Sequence, residues 1–276
     1  MSRGPRRSRP LVVLVLVGML FAVAGAAGWW FVRRPDAQVH TAADAPLREQ
    51  CPEVDAHVIE AARRETLTGS GGDVLGAVAT GPEAAAAALL WRPGASQTLC
   101  EWLPWAVGMS RDTGAEVFIF DRRGKGSSSA FEPNLGLEVE DTRRAYARLR
   151  EKGIEHVAVG GSSMGNSIAF ASLDGLEPPP CAVLSVSPVL TSSDSHGTVD
   201  GRTPTLIDNV WIAYETEGMS SIPANVQDLQ AESRRQGLAT PRVLAVDTDA
   251  HSRQLVLSYP QVGDFLTEAM TMCSRP

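Results

Sequence analysis

The stretch "HVAVGGSSMGNSIAF", residues 156 to 170, decides how this chain is read. A short apolar run breaks into glycines and serines and then turns apolar again. Within the break, Gly161-Ser162-Ser163-Met164-Gly165 spells G-x-S-x-G. In that pattern a serine sits at a strained turn between strand and helix, and the small residues two before and two after let the elements approach. "HVAVGG" supplies the strand and "GNSIAFASL" the helix. Ser163 is therefore the candidate nucleophile, and Met164 offers a backbone N–H beside it at the start of the helix.

Outward from this turn, apolar runs near residues 74–80, 86–91, 116–121, 156–160, 182–187, 209–215 and 242–247 read as strands. Helical patterns fall near 100–110, 165–174, 225–236 and 260–271. The clearest is "GLEVEDTRRAYARLREKG", residues 136–153, with acids in its first turn and bases in its last, an order that complements the helix dipole. Alternation of strand and helix implies an α/β fold, a mostly parallel sheet with helices on both faces. The working surface of such a sheet lies at the carboxyl ends of its strands.

A second signature precedes the first. "VFIFDRRGKGSSS", residues 117–129, places Asp121, Arg123, Gly124 and Gly126 at the end of a strand. With this motif one strand and one helix before the G-x-S-x-G turn, residues 65 to 272 or so resemble the α/β-hydrolase superfamily of serine hydrolases. The resemblance implies a Ser, acid, His order along the chain and a structural role for Asp121 and Arg123. It also implies a second oxyanion donor in the loop that here reads Arg92-Pro93-Gly94, where the family usually has His-Gly. Pro93 has no N–H, so Gly94 or Ala95 must serve, and Gly94 is the first candidate.

In that order the catalytic histidine follows Ser163, and His251 in "PRVLAVDTDAHS" fits, just past the last strand and followed by Ser252. The acid is then expected at the end of "NVWIAYETEG". Glu215 and Glu217 both stand there; Glu217 is the expected acid, because it lies beyond the strand and next to Gly218.

The amino terminus is of another kind. Residues 1–10 are basic and residues 11–32 form an uncharged run, about 33 Å long as a helix at about 1.5 Å per residue, which matches a bilayer's apolar thickness. Four arginines precede the run and two follow it, so the positive-inside rule exports the remainder. Residues 11–32 read as a retained transmembrane signal anchor, with a cleaved signal peptide as the alternative because small-residue sites occur near residue 24. Residues 33–50 read as a linker and 51–276 as the hydrolase domain. Residues 35–276 carry 19 basic and 32 acidic residues, which disfavours nucleic acid as a partner. Cys51, Cys100, Cys181 and Cys273 are an even number in an exported chain and imply two disulfides, with all three pairings open. No C-x-x-C spacing and no His pair at i, i+4 calls for a metal.

The expected protein is a membrane-anchored or secreted serine hydrolase with a small-molecule acyl substrate, no cofactor and no large lid, since about 20 residues separate the strands ending near 187 and beginning near 209. The alternatives are a non-catalytic binding protein of the same fold and an acyltransferase or peptidase.

Overall fold

A computed structural model describes residues 42–129, 133–202 and 206–274. Two short helices, α1 (Leu47–Gln50) and α2 (Ala56–Glu60), lead into β1 (Ala62–Thr68), β2 (Val74–Thr80) and β3 (Ala87–Arg92). Then come α3 (Leu99–Thr113), β4 (Glu116–Phe120), α4 (Leu135–Glu151), β5 (His156–Ser162), α5 (Met164–Ser172) and β6 (Val183–Val186). The hairpin strands β7 (Thr191–Asp194) and β8 (Gly197–Asp200) precede β9 (Val210–Glu215), α6 (Ser221–Arg235), β10 (Arg242–Val246), α7 (Arg253–Ser258) and α8 (Pro260–Cys273).

Eight strands form one sheet in the order β1-β2-β4-β3-β5-β6-β9-β10. β2 runs antiparallel to both β1 and β4, and all other neighbours are parallel. The expected architecture, a mostly parallel sheet covered on both faces, is what is found. Strand alternation divides the core: Ala87, Leu89 and Trp91 of β3 pack with α3 and α8, whereas Ala88 and Leu90 pack with α4 and α5. Trp91 meets Trp102 and Trp105 of α3 at ring-centroid separations of 4.9 and 4.8 Å, which fixes α3 on the sheet. A capping box of Thr98 and Glu101 starts that helix, and Gly114 ends it at φ 68°.

The short helices α1, α2 and α7 are absent from the sequence reading, and other parts depart from it as well. β1 is an edge strand whose charges pair with the body, Arg63 with Glu116 and Glu65 with Arg148, so "ARRETLT" carries no apolar alternation to reveal it. β7 and β8 are short and polar, and pack on α4 and α5 within the connection between β6 and β9. The tether expected over 33–50 already belongs to the folded body at its end: Ala43 and Leu47 are buried, and Gln50 Nε2 donates to Asp121 Oδ2 at 2.6 Å.

Cys51 pairs with Cys100, and Cys181 with Cys273, at Cα separations of 5.3 and 5.2 Å. The first bond ties the segment after α1 to α3. The second joins the entry to β6 with the end of α8. The basic segment and the apolar run over 11–32, read above as an anchor or signal, lie outside the described residues. No helix among the described residues is long and apolar enough to cross a membrane.

Candidate active site

The turn between β5 and α5 has the steric form that its glycines imply. Ser163 holds φ 50° and ψ −125°, a conformation that L-residues rarely adopt. A Cβ on Gly165 would lie 2.2 Å from the Arg92 carbonyl oxygen, and one on Gly161 would lie 2.7 Å from the Gly165 carbonyl carbon. No side chain fits at either place. The strained turn is held by Ser163 N–H donating to Val186 O at 3.0 Å and by Asn166 Nδ2, which donates to Val186 O at 2.8 Å.

His251, two residues after the Asp249 that follows β10, reaches the same point. Its Nε2 lies 2.8 Å from Ser163 Oγ, and its Nδ1 lies 2.5 Å from Glu215 Oε1. A carboxylate only accepts, so Nδ1 carries the proton and Nε2 is left to accept from the Ser163 hydroxyl. Glu215 is 1 % exposed and His251 29 %. The acid is thus shielded while the imidazole faces the opening.

The structure brings together Ser163, His251 and Glu215, and leaves Glu217 outside. Glu217 is exposed, and its backbone N–H donates to Thr248 O at 3.0 Å as the chain turns away along the β10 side. The two glutamates are two apart, so strand alternation cannot separate them. The end of β9 does: Glu215 is the last residue of the strand and still lies within the packed layer.

The expected oxyanion loop is also altered. Met164 begins α5, so its N–H belongs to the first turn, where helical partners are lacking. Gly94 sits beside the nucleophile, since a Cβ there would be 3.3 Å from Ser163 Cβ. Its N–H, however, already donates to Gln97 Oε1 at 3.0 Å. Of the two amides that the loop offers, that of Ala95 remains. Arg122 Nη1 holds the Ala95 carbonyl at 3.0 Å.

The acid has a second support. Ser187 donates its hydroxyl to Glu215 Oε2 at 2.6 Å, and Ser187 Oγ accepts from Ser252 N–H at 2.8 Å. Among the described residues, Ser163, Ser187 and Ser252 are the non-glycine residues at positive φ, at 50°, 50° and 59°. All three belong to this one network, and strained backbone of this kind persists where its surroundings over-determine it. Sequence reading missed Ser187 and Gln97; nothing local marks either one.

Beneath the loop lie the charges of the Asp121 motif. Asp121 accepts from Leu99 N–H and Ser127 N–H, both at 2.8 Å, and burial pushes its carboxyl up from the ordinary value while those donors pull it back. It anchors the start of α3 and touches no reacting group. Arg92, the last residue of β3, is fully buried and bonded to Glu138 at 2.9 Å; desolvation holds its guanidinium down, to about 10. Among the described residues, no group of three or more His, Cys, Asp or Glu is placed to hold a metal ion.

No family model and no curated protein matches the sequence. Solved structures do match. An esterase from Pyrococcus furiosus superimposes with a TM-score of 0.65 at 12% identity, over 78% of this chain and 93% of its own. EstE5, soaked with p-nitrophenyl butyrate, gives 0.60 at 17% identity, over 86% and 93%. A serine hydrolase without a lid from Xanthomonas campestris gives 0.58 at 17% identity, over 76% and 95%. Identities this low speak for the fold alone, and that fold is the α/β-hydrolase fold.

Proposed function

We propose that the protein is a serine hydrolase that cleaves a carboxylic ester or related acyl bond through an acyl-enzyme intermediate. The observation that carries this reading is the unbroken contact line Ser163 Oγ, His251 Nε2, His251 Nδ1, Glu215 Oε1 at a strained strand-to-helix turn. Ser163 Oγ attacks the acyl carbon while Nε2 takes its proton. Glu215 holds the imidazole in the required tautomer and stabilises its cation. The N–H groups of Met164 and Ala95 receive the charge that develops on the carbonyl oxygen. The leaving alcohol takes the proton from Nε2, and water repeats the sequence to free the acid.

Ser163 and His251 are both partly exposed, and among the described residues the connection between β6 and β9 holds a short hairpin. Such a mouth suits small, soluble esters of the kind soaked into one neighbour. Two disulfides support an oxidising compartment for the domain, reached by export through the segment over 11–32 as anchor or cleaved signal.

The experiment is to treat the protein with a fluorescent fluorophosphonate and to assay p-nitrophenyl butyrate. Wild type should label and turn over. Ser163→Ala should lose labelling and about 10⁴ to 10⁶ in kcat while remaining folded by circular dichroism. Labelling that persists in this variant would refute the assignment.

A further inference from the structure

Gln97 lies in none of the sequence motifs, yet its amide joins four parts of the site. Its Oε1 accepts from Gly94 N–H at 3.0 Å and from the Trp102 indole N–H at 2.9 Å. Both of those groups only donate, so the oxygen must face them and the orientation of the amide is fixed. The nitrogen is thereby turned to Ser252, donating to its Oγ at 3.0 Å. Ser162, the neighbour of the nucleophile, donates its hydroxyl to Gln97 Oε1 at 3.2 Å.

From Ser252 the line continues through its N–H to Ser187 Oγ, and from the Ser187 hydroxyl to Glu215 Oε2. One side chain thus connects the oxyanion loop, the nucleophile's strand and the residue after the histidine to the outer oxygen of the acid. The loop itself is pinned by the same residue, because Gln97 N–H donates to Gly94 O at 3.2 Å and closes the turn Gly94 to Gln97.

Resting on the serine hydrolase reading, we infer that Gln97 is a positioning residue: it takes up the Gly94 amide, so that Ala95 becomes the loop's oxyanion donor, and it keeps that loop in register with the His251 loop. It touches neither substrate nor the reacting atoms and acts through Gly94 and Ser252. Because a misplacement of about 1 Å can cost about 10²-fold in rate, its removal should be felt in kcat and not in binding.

Gln97→Met keeps the side chain's length and removes every side-chain hydrogen bond, leaving the backbone bond to Gly94 in place. Its kcat for p-nitrophenyl butyrate should fall by about 10- to 100-fold with KM within about threefold of wild type. Hydrogen exchange should rise both in residues 92–98 and in residues 248–256, segments joined through this amide and distant in sequence. An active wild type whose Gln97→Met variant keeps kcat within about threefold overturns the inference. Faster exchange confined to 92–98 overturns it too. A wild type that takes no probe and cleaves no ester refutes the hydrolase reading instead, and the exchange result still judges the clamp. Should the Met variant not fold, Ser252→Ala keeps Gly94 and Trp102 on Gln97 Oε1 and removes the hydroxyl that joins Gln97 to the His251 loop. Exchange should then rise in 248–256 alone, and unchanged exchange there counts against the clamp.

Discussion

At the carboxyl rim of the sheet, neutral side chains surround the ionisable pair of Glu215 and His251: Gln97, Ser162, Ser187 and Ser252 join it by hydrogen bonds alone. Beneath the loop, by contrast, full charges face one another. Arg92 and Arg122 share Glu138, with Arg122 Nε 2.8 Å from Oε2, and Arg123 forks onto Asp141 at 2.7 and 3.1 Å. Glu215, Ser162, Ser187 and Ser252 on one side and Arg92, Arg122, Arg123, Glu138 and Asp141 on the other are all buried, where a lost polar partner is costly. The two regions differ in what a change would disturb. Amide and hydroxyl groups fix geometry around the triad without adding a net charge to it. The ionic cluster holds the segment from Arg122 to Arg123 against α4, and losing one member strands another in a medium that cannot solvate it.

This contrast can be broken by exchanging one carboxylate in each region. The larger effect belongs to the rim. Glu215→Gln should lower kcat by about 10² to 10⁴ with little change in Tm, since Gln can still meet the histidine and Ser187. Glu217→Gln should stay within about twofold in both, and steady-state kinetics of the two variants side by side gives the ranking. Equal effects would mean that the acid is shared or elsewhere. In the ionic cluster the order of effects reverses. Glu138→Gln leaves two buried arginines without a counter-ion and should cost about 3–5 kcal/mol in denaturant unfolding, while kcat per folded molecule falls less than about tenfold. A catalytic loss as large as that of Glu215→Gln would show that the two regions work as one.

A smaller change sharpens the comparison from the side. Cys51→Ser with Cys100→Ser opens a loop of 49 residues and should cost about 2–4 kcal/mol, the usual range for such a bond. Thermal unfolding measures it. The kinetic constants should be retained below the new Tm, because this bond meets α3 on its body side and none of the triad residues.

What the sequence disclosed follows from where each constraint is local. The turn at Ser163 is legible because its glycines answer to clashes within a few residues and with one adjacent strand. His251 is legible through chain order. Glu215 and Glu217 are not separable that way, since the choice depends on where β9 ends, and strand ends carry an uncertainty of about two residues. Gln97 could not be found at all. Its partners are Gly94, Trp102, Ser162 and Ser252, and only folding brings the last two near it. β1 was hidden for another reason: an edge strand that places arginine and glutamate toward partners shows the composition of a loop.

The bond between Cys181 and Cys273 closes a loop that contains both Glu215 and His251, with Ser163 outside it. A single proteolytic cut anywhere inside that loop would therefore produce a nicked molecule and not two fragments. The acid and the histidine would both remain covalently tied to the nucleophile's half, whichever side of the cut they fall on. For a domain exposed to proteases, the last bridge turns a severed backbone into an internal pair of loose ends, and the parts of the site stay at the high effective concentration of a single chain.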